Sequence, residues 1–364
     1  MDQDSAFYKA IDLLKSMIST PSTSRNEEAV ANLIGDYLAN ETGLEVHRSG
    51  NNVWVIAQGF DPSRPTLLLN SHCDTVKPVA TWTRDPFAPV EEMVEGASGR
   101  IETRLYGLGS NDAGAPLVSL LHTFLLLKDI PQAYNLVFLA SCEEEVSGRN
   151  GIESVLPLLP KIDLAVVGEP TGMHAAIAEK GLVVLDGVAH GKSGHAARNE
   201  GVNAIYIALD AIQKLRYFSF ENESPTLGPV KITVSVINAG TVHNVVPDLC
   251  SFVVDVRSTD AYTNQEIVAR LQQLVAPVEL TPRSTRLQPS GISEAHPIIQ
   301  RIKTLGRQCF GSPTLSDQAL LSCPSVKIGP GDSARSHTAD EYICLEEIRE
   351  AIQLYFSLLN GLNF

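Results

Sequence analysis

Apolar residues recur at intervals of three and four over 5–19 and again over 26–40, the spacing of one helical face turned to a core. Residues 44–58 then read as strand, and the run Thr66-Leu-Leu-Leu-Asn70 has no polar interruption, as expected of a strand covered on both faces. Two more short apolar runs, 135–141 and 163–168, follow helix-like segments at 114–128 and 151–158, and each ends in acidic residues. This alternation predicts an α/β domain, a sheet flanked by helices.

From about residue 181 the pattern changes. Strand 181–190, helix 201–217, strands 230–237 and 249–257, helix 263–275 and strand 277–282 follow in the order βαββαβ, the split-βαβ or ferredoxin-like arrangement. The polar stretch 282–289 reads as a linker, after which helix 297–309, a strand near 325–329 and an amphipathic helix near 345–361 resume. The expected organisation is one α/β domain, 1–176 and 288–364, interrupted by a small domain at 177–287.

A chain of 364 residues is long enough for two cores, in keeping with this division. The net charge of -14, with no cluster of Lys and Arg to reverse it locally, argues against a nucleic-acid partner. No apolar run approaches the roughly 20 residues that span a bilayer, and the N-terminal segment lacks a basic start followed by an apolar stretch. No membrane association and a cytoplasmic location are therefore expected. The 6 cysteines (Cys73, Cys142, Cys250, Cys309, Cys323, Cys344) show no short spacing, which argues against a disulfide framework and a Cys-type zinc site.

Candidate chemistry sits where the apolar strands end, the place at which ligands collect in open α/β sheets. Ser71-His72-Cys73-Asp74 closes the first run, and an imidazole that binds metal needs its other N–H anchored by a nearby carboxylate, a support that Asp74 could give His72. The segment Gly107-Leu-Gly-Ser-Asn-Asp112 has the glycines of a dinucleotide loop, but Asp112 stands where the third glycine should be and would repel a pyrophosphate. As a ligand, Asp112 could give one oxygen to each of two cations; as a structural residue it would cap the helix that follows. Glu143-Glu144-Glu145 end a run whose composition predicts burial, which is costly without a compensating positive charge. Glu169, before Pro170, ends another, and His337 lies on a Gly-rich loop from the C-terminal part. A set of nitrogen and oxygen donors of this kind suits zinc.

The order His-x-Asp, Gly-x-Gly-x-x-Asp, Glu-Glu, Gly-Glu-Pro-Thr and Ser-His-Thr resembles the M20 metallopeptidases over essentially the whole chain, above all acetylornithine deacetylase, succinyl-diaminopimelate desuccinylase and their relatives. The resemblance implies two zinc ions, with cobalt as a candidate substitute. It assigns His72, Asp112 and Glu169 to one, and Asp112, Glu145 and His337 to the other, with Asp112 as the bridge. Aligning Glu143-Glu144-Glu145 with the family's Asp-Glu-Glu makes Glu144 the base, with a slip toward Glu143 as the alternative. It further implies that the inserted domain serves dimerisation or as a lid, that His195 reaches the active site of a partner subunit, and that Asn244 and Arg257 face substrate. Departures are Ala113-Gly114-Ala115 where Met-Lys-Gly is common, and Glu143 in place of Asp.

The expected activity is removal of an acetyl or succinyl group from an N-acyl amino acid, with ornithine or citrulline favoured by the same resemblance. Two rivals are a dipeptidase or aminopeptidase built on the same site, and a metal-free binding protein that has kept only the scaffold. The other histidines (His47, His122, His174, His190, His243, His296) match no ligand position and read as structural.

Overall fold

The computed structural model describes residues 1–96 and 99–364, which divide into two compact units. One comprises 1–177, 292–310 and 316–364, the other 178–291 with 311–315.

In the first unit the central sheet runs in the order His47–Ser49, Asn52–Ile56, Asn135–Ser141, Thr66–His72, Leu164–Val167, Ser325–Lys327, Ala175–Glu179. The strands Asn135–Ser141, Thr66–His72, Leu164–Val167 and Ser325–Lys327 are parallel, and antiparallel strands flank them, so the sheet is mixed. Side chains alternate across it. Leu67, Leu69, Leu136, Phe138 and Val166 share a core with the helices Gln3–Ile18, Glu28–Thr42, Ala115–Leu127 and Leu345–Leu359, whereas Leu68, Val137, Leu139 and Ala165 pack on the other face with Ile152 and Val155. Both faces are covered, which is why these strands read as unbroken apolar runs.

Helix ends follow local chemistry. Asp2 accepts the Ser5 N–H at the start of the first helix, and Gly43 in the left-handed region closes the second. The helix expected over 297–309 stops at Thr304, because Gly306 turns the chain at φ +76. A hairpin of Val90–Glu95 and Ile101–Tyr106, joined on its inner edge by Tyr342–Cys344, is an addition to the expected elements.

In the second unit the antiparallel sheet has the order Lys231–Ala239, Leu249–Ser258, Gly181–His190, Glu279–Pro282. Numbered along the chain this is 2-3-1-4, the ferredoxin-like order, with helices Ala204–Tyr217 and Asn264–Val275 on a shared core. Thr263 and Glu266 form a reciprocal capping box at the start of the second of these helices.

Candidate metal centre

The parallel strands deliver their carboxyl ends to one place. His72 is the last residue of its strand and lies in register with Ser141, three residues before Glu144, while Glu169 follows the neighbouring strand that ends at Val167. His72 is buried at 2% exposure. Its Nδ1 donates to the main-chain carbonyl of Asp74 at 2.9 Å, which turns Nε2 toward the centre. Around Nε2 stand Asp112 Oδ1 at 3.2 Å, Glu169 Oε1 at 3.7 Å and Glu144 Oε2 at 4.0 Å.

Asp74 therefore supports His72 through its carbonyl. Its carboxylate, 3.5 Å from Nδ1, accepts instead from the Ser24 hydroxyl at 2.7 Å and from the backbone N–H groups of Glu144 and Glu145 at 3.1 and 3.2 Å. Burial works against charge on Asp74, but the His72 imidazole and these donors hold its pKa below the usual carboxylate range.

The loop before Asp112 is shaped by close approaches. A Cβ on Gly109, itself at φ +76, would lie 2.6 Å from Thr75 Cγ2, and one on Gly114 would lie 2.4 Å from the Gly109 carbonyl oxygen. The following helix starts at Ala115 with no side-chain cap, so Asp112 does not serve as its N-cap. The two oxygens of Asp112 face different imidazoles: Oδ1 faces His72, and Oδ2 lies 3.6 Å from Nε2 of His337. His337, at φ +59, also meets Glu145 Oε2 at 2.9 Å. Donor atoms of His72, Asp112 and Glu169 form one compact group and those of Asp112, Glu145 and His337 another, each within 4.8 Å.

Glu143 and Glu144 diverge. Glu143 adopts φ +55 and accepts from Asn150 Nδ2 at 2.9 Å, whereas Glu144 belongs to neither donor group yet lies beside His72. Burial, with the charges of Glu169, Asp317 and Glu145 against the opposing pull of His72, pushes the Glu144 carboxyl well above its ordinary range. Burial disfavours charge on His72, but Asp112, Asp74, Glu144 and Glu169 raise its pKa well above normal. Glu145 raises that of His337 to about 9. Among the described residues, Asp112, Glu144 and Glu145 face imidazoles and no Lys or Arg. A buried excess of carboxylates over cations, with nitrogen and oxygen donors in two compact groups, fits divalent metal.

Glu341 was not singled out by the sequence. At 1% exposure it accepts the N–H groups of Gly109, Asn111 and Asp112, and burial pushes its carboxyl up to about 8 in spite of these donors. Its signal was an acid directly before the short apolar strand Tyr342–Cys344.

The remaining candidates belong to the second unit. His195 pairs with Val245, and the Asn244 carbonyl accepts the Ala196 N–H at 3.0 Å, so these two lie together. Nδ1 of His195 accepts the Ala197 N–H at 3.1 Å, which puts the ring proton on Nε2. Arg257 stands apart on Leu249–Ser258, where Asp255 occupies its guanidinium at 2.9 and 3.1 Å.

The sequence profile of peptidase family M20/M25/M40 matches residues 68–361. Acetylornithine deacetylase of Shigella sonnei (strain Ss046) is 25% identical over 387 aligned positions, covering 96% of this chain and 97% of that protein. Among solved structures, a tripeptidase from Staphylococcus aureus superposes with a TM-score of 0.77 at 19% identity, covering 97% of each chain. A dinuclear metal binding peptidase of the M20 family from Bacillus subtilis gives 0.74 at 17%, covering 98% of each. An M20 family metallo-carboxypeptidase from Sulfolobus solfataricus gives 0.73 at 16%, covering 99% of each.

Proposed function

Because this chain belongs to peptidase family M20/M25/M40, we propose that it is a two-zinc amidohydrolase that releases an acetyl or succinyl group from an N-acyl amino acid. Acetylated or succinylated ornithine or citrulline is the favoured substrate, which would place the reaction in arginine biosynthesis in the cytoplasm; the deacetylase relative from Shigella sonnei supports this choice. The observation that carries the reading is Asp112, whose two oxygens face His72 on one side and His337 on the other while Glu144 stands free beside them. Cobalt could replace zinc on such donors.

His72, Asp112 and Glu169 would hold one ion, and Asp112, Glu145 and His337 the other. Bound zinc supplies Lewis acidity, polarising the amide carbonyl and easing ionisation of water. Glu144 takes the proton from the attacking water and returns it to the amine as the amide bond breaks, so no covalent enzyme intermediate is needed. Its place beside His72 and outside both donor groups suits Glu144 to that shuttle. Asp74 orients His72 and the backbone that carries Glu144.

By the resemblance to its family, His195 of a partner subunit is assigned to the developing oxyanion, with Nε2, which carries the ring proton, as the donor. A homodimer is supported by the edge strand Lys231–Ala239, where Val236 and Ile237 are 45% and 48% exposed on an edge with open backbone groups. Asn244 and Arg257 are assigned to substrate, Arg257 after release of Asp255.

Hydrolysis rates over acetylated and succinylated ornithine, citrulline, lysine and diaminopimelate, with dipeptides and tripeptides alongside and zinc supplied, test the reading. Turnover of N-acyl amino acids well above peptides is expected. The reverse order would favour the second reading, a peptidase, which the tripeptidase and carboxypeptidase superpositions bring forward.

A further inference from the structure

The loop that carries Asp112 has an unusual demand. Gly109, Asn111 and Asp112 open the π-helical turn Ser110–Gly114, where their inward N–H groups have no partner within the turn, and such donors need an acceptor. One side chain answers all three. Oε1 of Glu341 accepts from Asn111 at 2.8 Å and Asp112 at 2.9 Å, and Oε2 accepts from Gly109 at 3.2 Å. The main chain of Glu341 joins in, since its carbonyl accepts the Gly107 N–H at 3.0 Å.

Glu341 lies four residues after His337, so the same contact ties the two loops that supply Asp112 and His337. Asn111 makes the second tie: its Nδ2 donates to the Asp332 carbonyl at 3.1 Å and Ser336 Oγ at 3.3 Å, and its Oδ1 accepts the Asp332 N–H at 3.0 Å. The 107–112 and 332–341 segments, far apart in sequence, are thus tied together by Glu341 and by Asn111.

We propose that Glu341 is a positioning residue that fixes Asp112 relative to His337, and so sets the spacing at which one carboxylate serves both donor groups. The inference rests on the reading that these groups hold metal. Glu341 acts through the backbone alone and does not touch the reacting atoms.

The chemistry separates two substitutions. Glu341→Gln keeps one carbonyl oxygen for Asn111 and Asp112 and turns an NH2 toward the Gly109 N–H, so most of the clasp survives. Glu341→Ala leaves all three N–H groups without an acceptor. Zinc uptake by the purified full chain is read by competition with a chelator at set free zinc, beside thermal unfolding of the metal-free protein and the separate values of kcat and KM. Partners of this kind govern metal affinity by about 10–100-fold. Glu341→Ala is expected to weaken zinc loading by at least about 10-fold and to lower kcat with KM little changed, while Glu341→Gln stays within a few-fold of wild type in loading.

Wild-type loading and kcat in Glu341→Ala would overturn the proposal. So would equal losses in both variants that track unfolding of the metal-free protein, since Glu341 would then be a residue of the fold only. If the wild type takes up no zinc, the metal reading fails in that arm and this inference with it. If it takes up zinc but cleaves none of the acyl substrates, the substrate assignment alone is lost and the loading comparison still decides the role of Glu341.

Discussion

The carboxylate of Asp74 accepts the backbone N–H of Glu144 at 3.1 Å, so the residue that follows a buried histidine by two positions also holds the start of the turn bearing the free glutamate. Through its carbonyl the same residue anchors the imidazole. Asp74→Ala removes the acceptor for Glu144, Glu145 and Ser24 at once while leaving the carbonyl in place. A fall of roughly 10–100-fold in kcat or in zinc affinity is expected, measured by initial rates at fixed free zinc. An unchanged kcat would show that the turn holds its shape without this carboxylate.

Glu144 differs from its neighbours by belonging to neither donor group. Glu144→Gln, of the same shape but unable to take a proton, should retain the metal content of wild type and lose about 10²–10⁴-fold in kcat. Metal analysis by mass spectrometry paired with turnover checks this. Loss of metal together with activity would make Glu144 a ligand, and near-normal turnover would shift the base to another group.

The parallel strands were legible in the sequence because both of their faces are covered, which turns Leu67 to Leu69 and Leu136 to Leu139 into unbroken apolar runs. The hairpin Val90–Glu95 with Ile101–Tyr106 left no such trace. Its strands carry Glu91, Glu92 and Glu95 and leave Met93 79% and Ile101 69% exposed, so apolar and polar positions do not sort by burial there. At the site, the sequence placed His72, Asp112, Glu145, Glu169 and His337 at the ends of buried strands or in motifs of fixed order, and the structure brings their donor atoms together. Glu341 was not singled out, because an acid before a short apolar strand does not say what it binds, and the backbone N–H groups it serves leave no residue signature. For Asp74 the sequence pointed to the carboxylate as the anchor of His72, and the turn geometry puts the main-chain carbonyl there instead, because the carboxylate is taken by Ser24 and the N–H groups of Glu144 and Glu145.

Two donor groups sharing Asp112 predict an ordered loss of metal. His337 is the most exposed of the five donors, and its removal leaves His72, Asp112 and Glu169 intact. His337→Ala should retain about one zinc where wild type holds two, by metal analysis after dialysis. Chelation of both ions from wild type should lower the melting temperature, because the facing carboxylates then repel with only imidazoles between them, and zinc should restore it. At free zinc of 100 times Kd, the restored stability is about 2.7 kcal/mol per site. Insensitivity of the melting temperature to chelator would sink the metal reading.

The edge strand Lys231–Ala239 predicts where the second unit self-associates. Val236→Lys with Ile237→Lys places charges on an apolar edge and should convert a dimer into a monomer, read by light scattering behind size-exclusion chromatography. Activity should fall with the dimer if His195 acts on a partner's site. A wild-type monomer with full activity would remove both the dimer and that role.

His122 offers a pH test that is independent of the metal. Buried on Ala115–Leu127, its Nδ1 donates to the Val118 carbonyl at 2.7 Å, and in the neutral ring that burial favours Nε2 accepts the Tyr37 hydroxyl at 2.8 Å. Burial lowers its pKa from 6.5 to about 4. Between those values the unfolded chain takes up a proton that the folded chain refuses. The stability that comes from the neutral ring is therefore complete above pH 6.5 and falls as pH drops toward 4, by roughly 3 kcal/mol in all. His122→Gln cannot titrate and retains an oxygen to accept from Tyr37. Urea unfolding of the metal-free protein at pH 7.5 and 4.5 should show wild type losing roughly 2–3 kcal/mol more than the variant on acidification, since the carboxylates common to both cancel. Equal losses would mean that His122 is protonated in the folded core, with Nε2 donating to the Tyr37 hydroxyl oxygen.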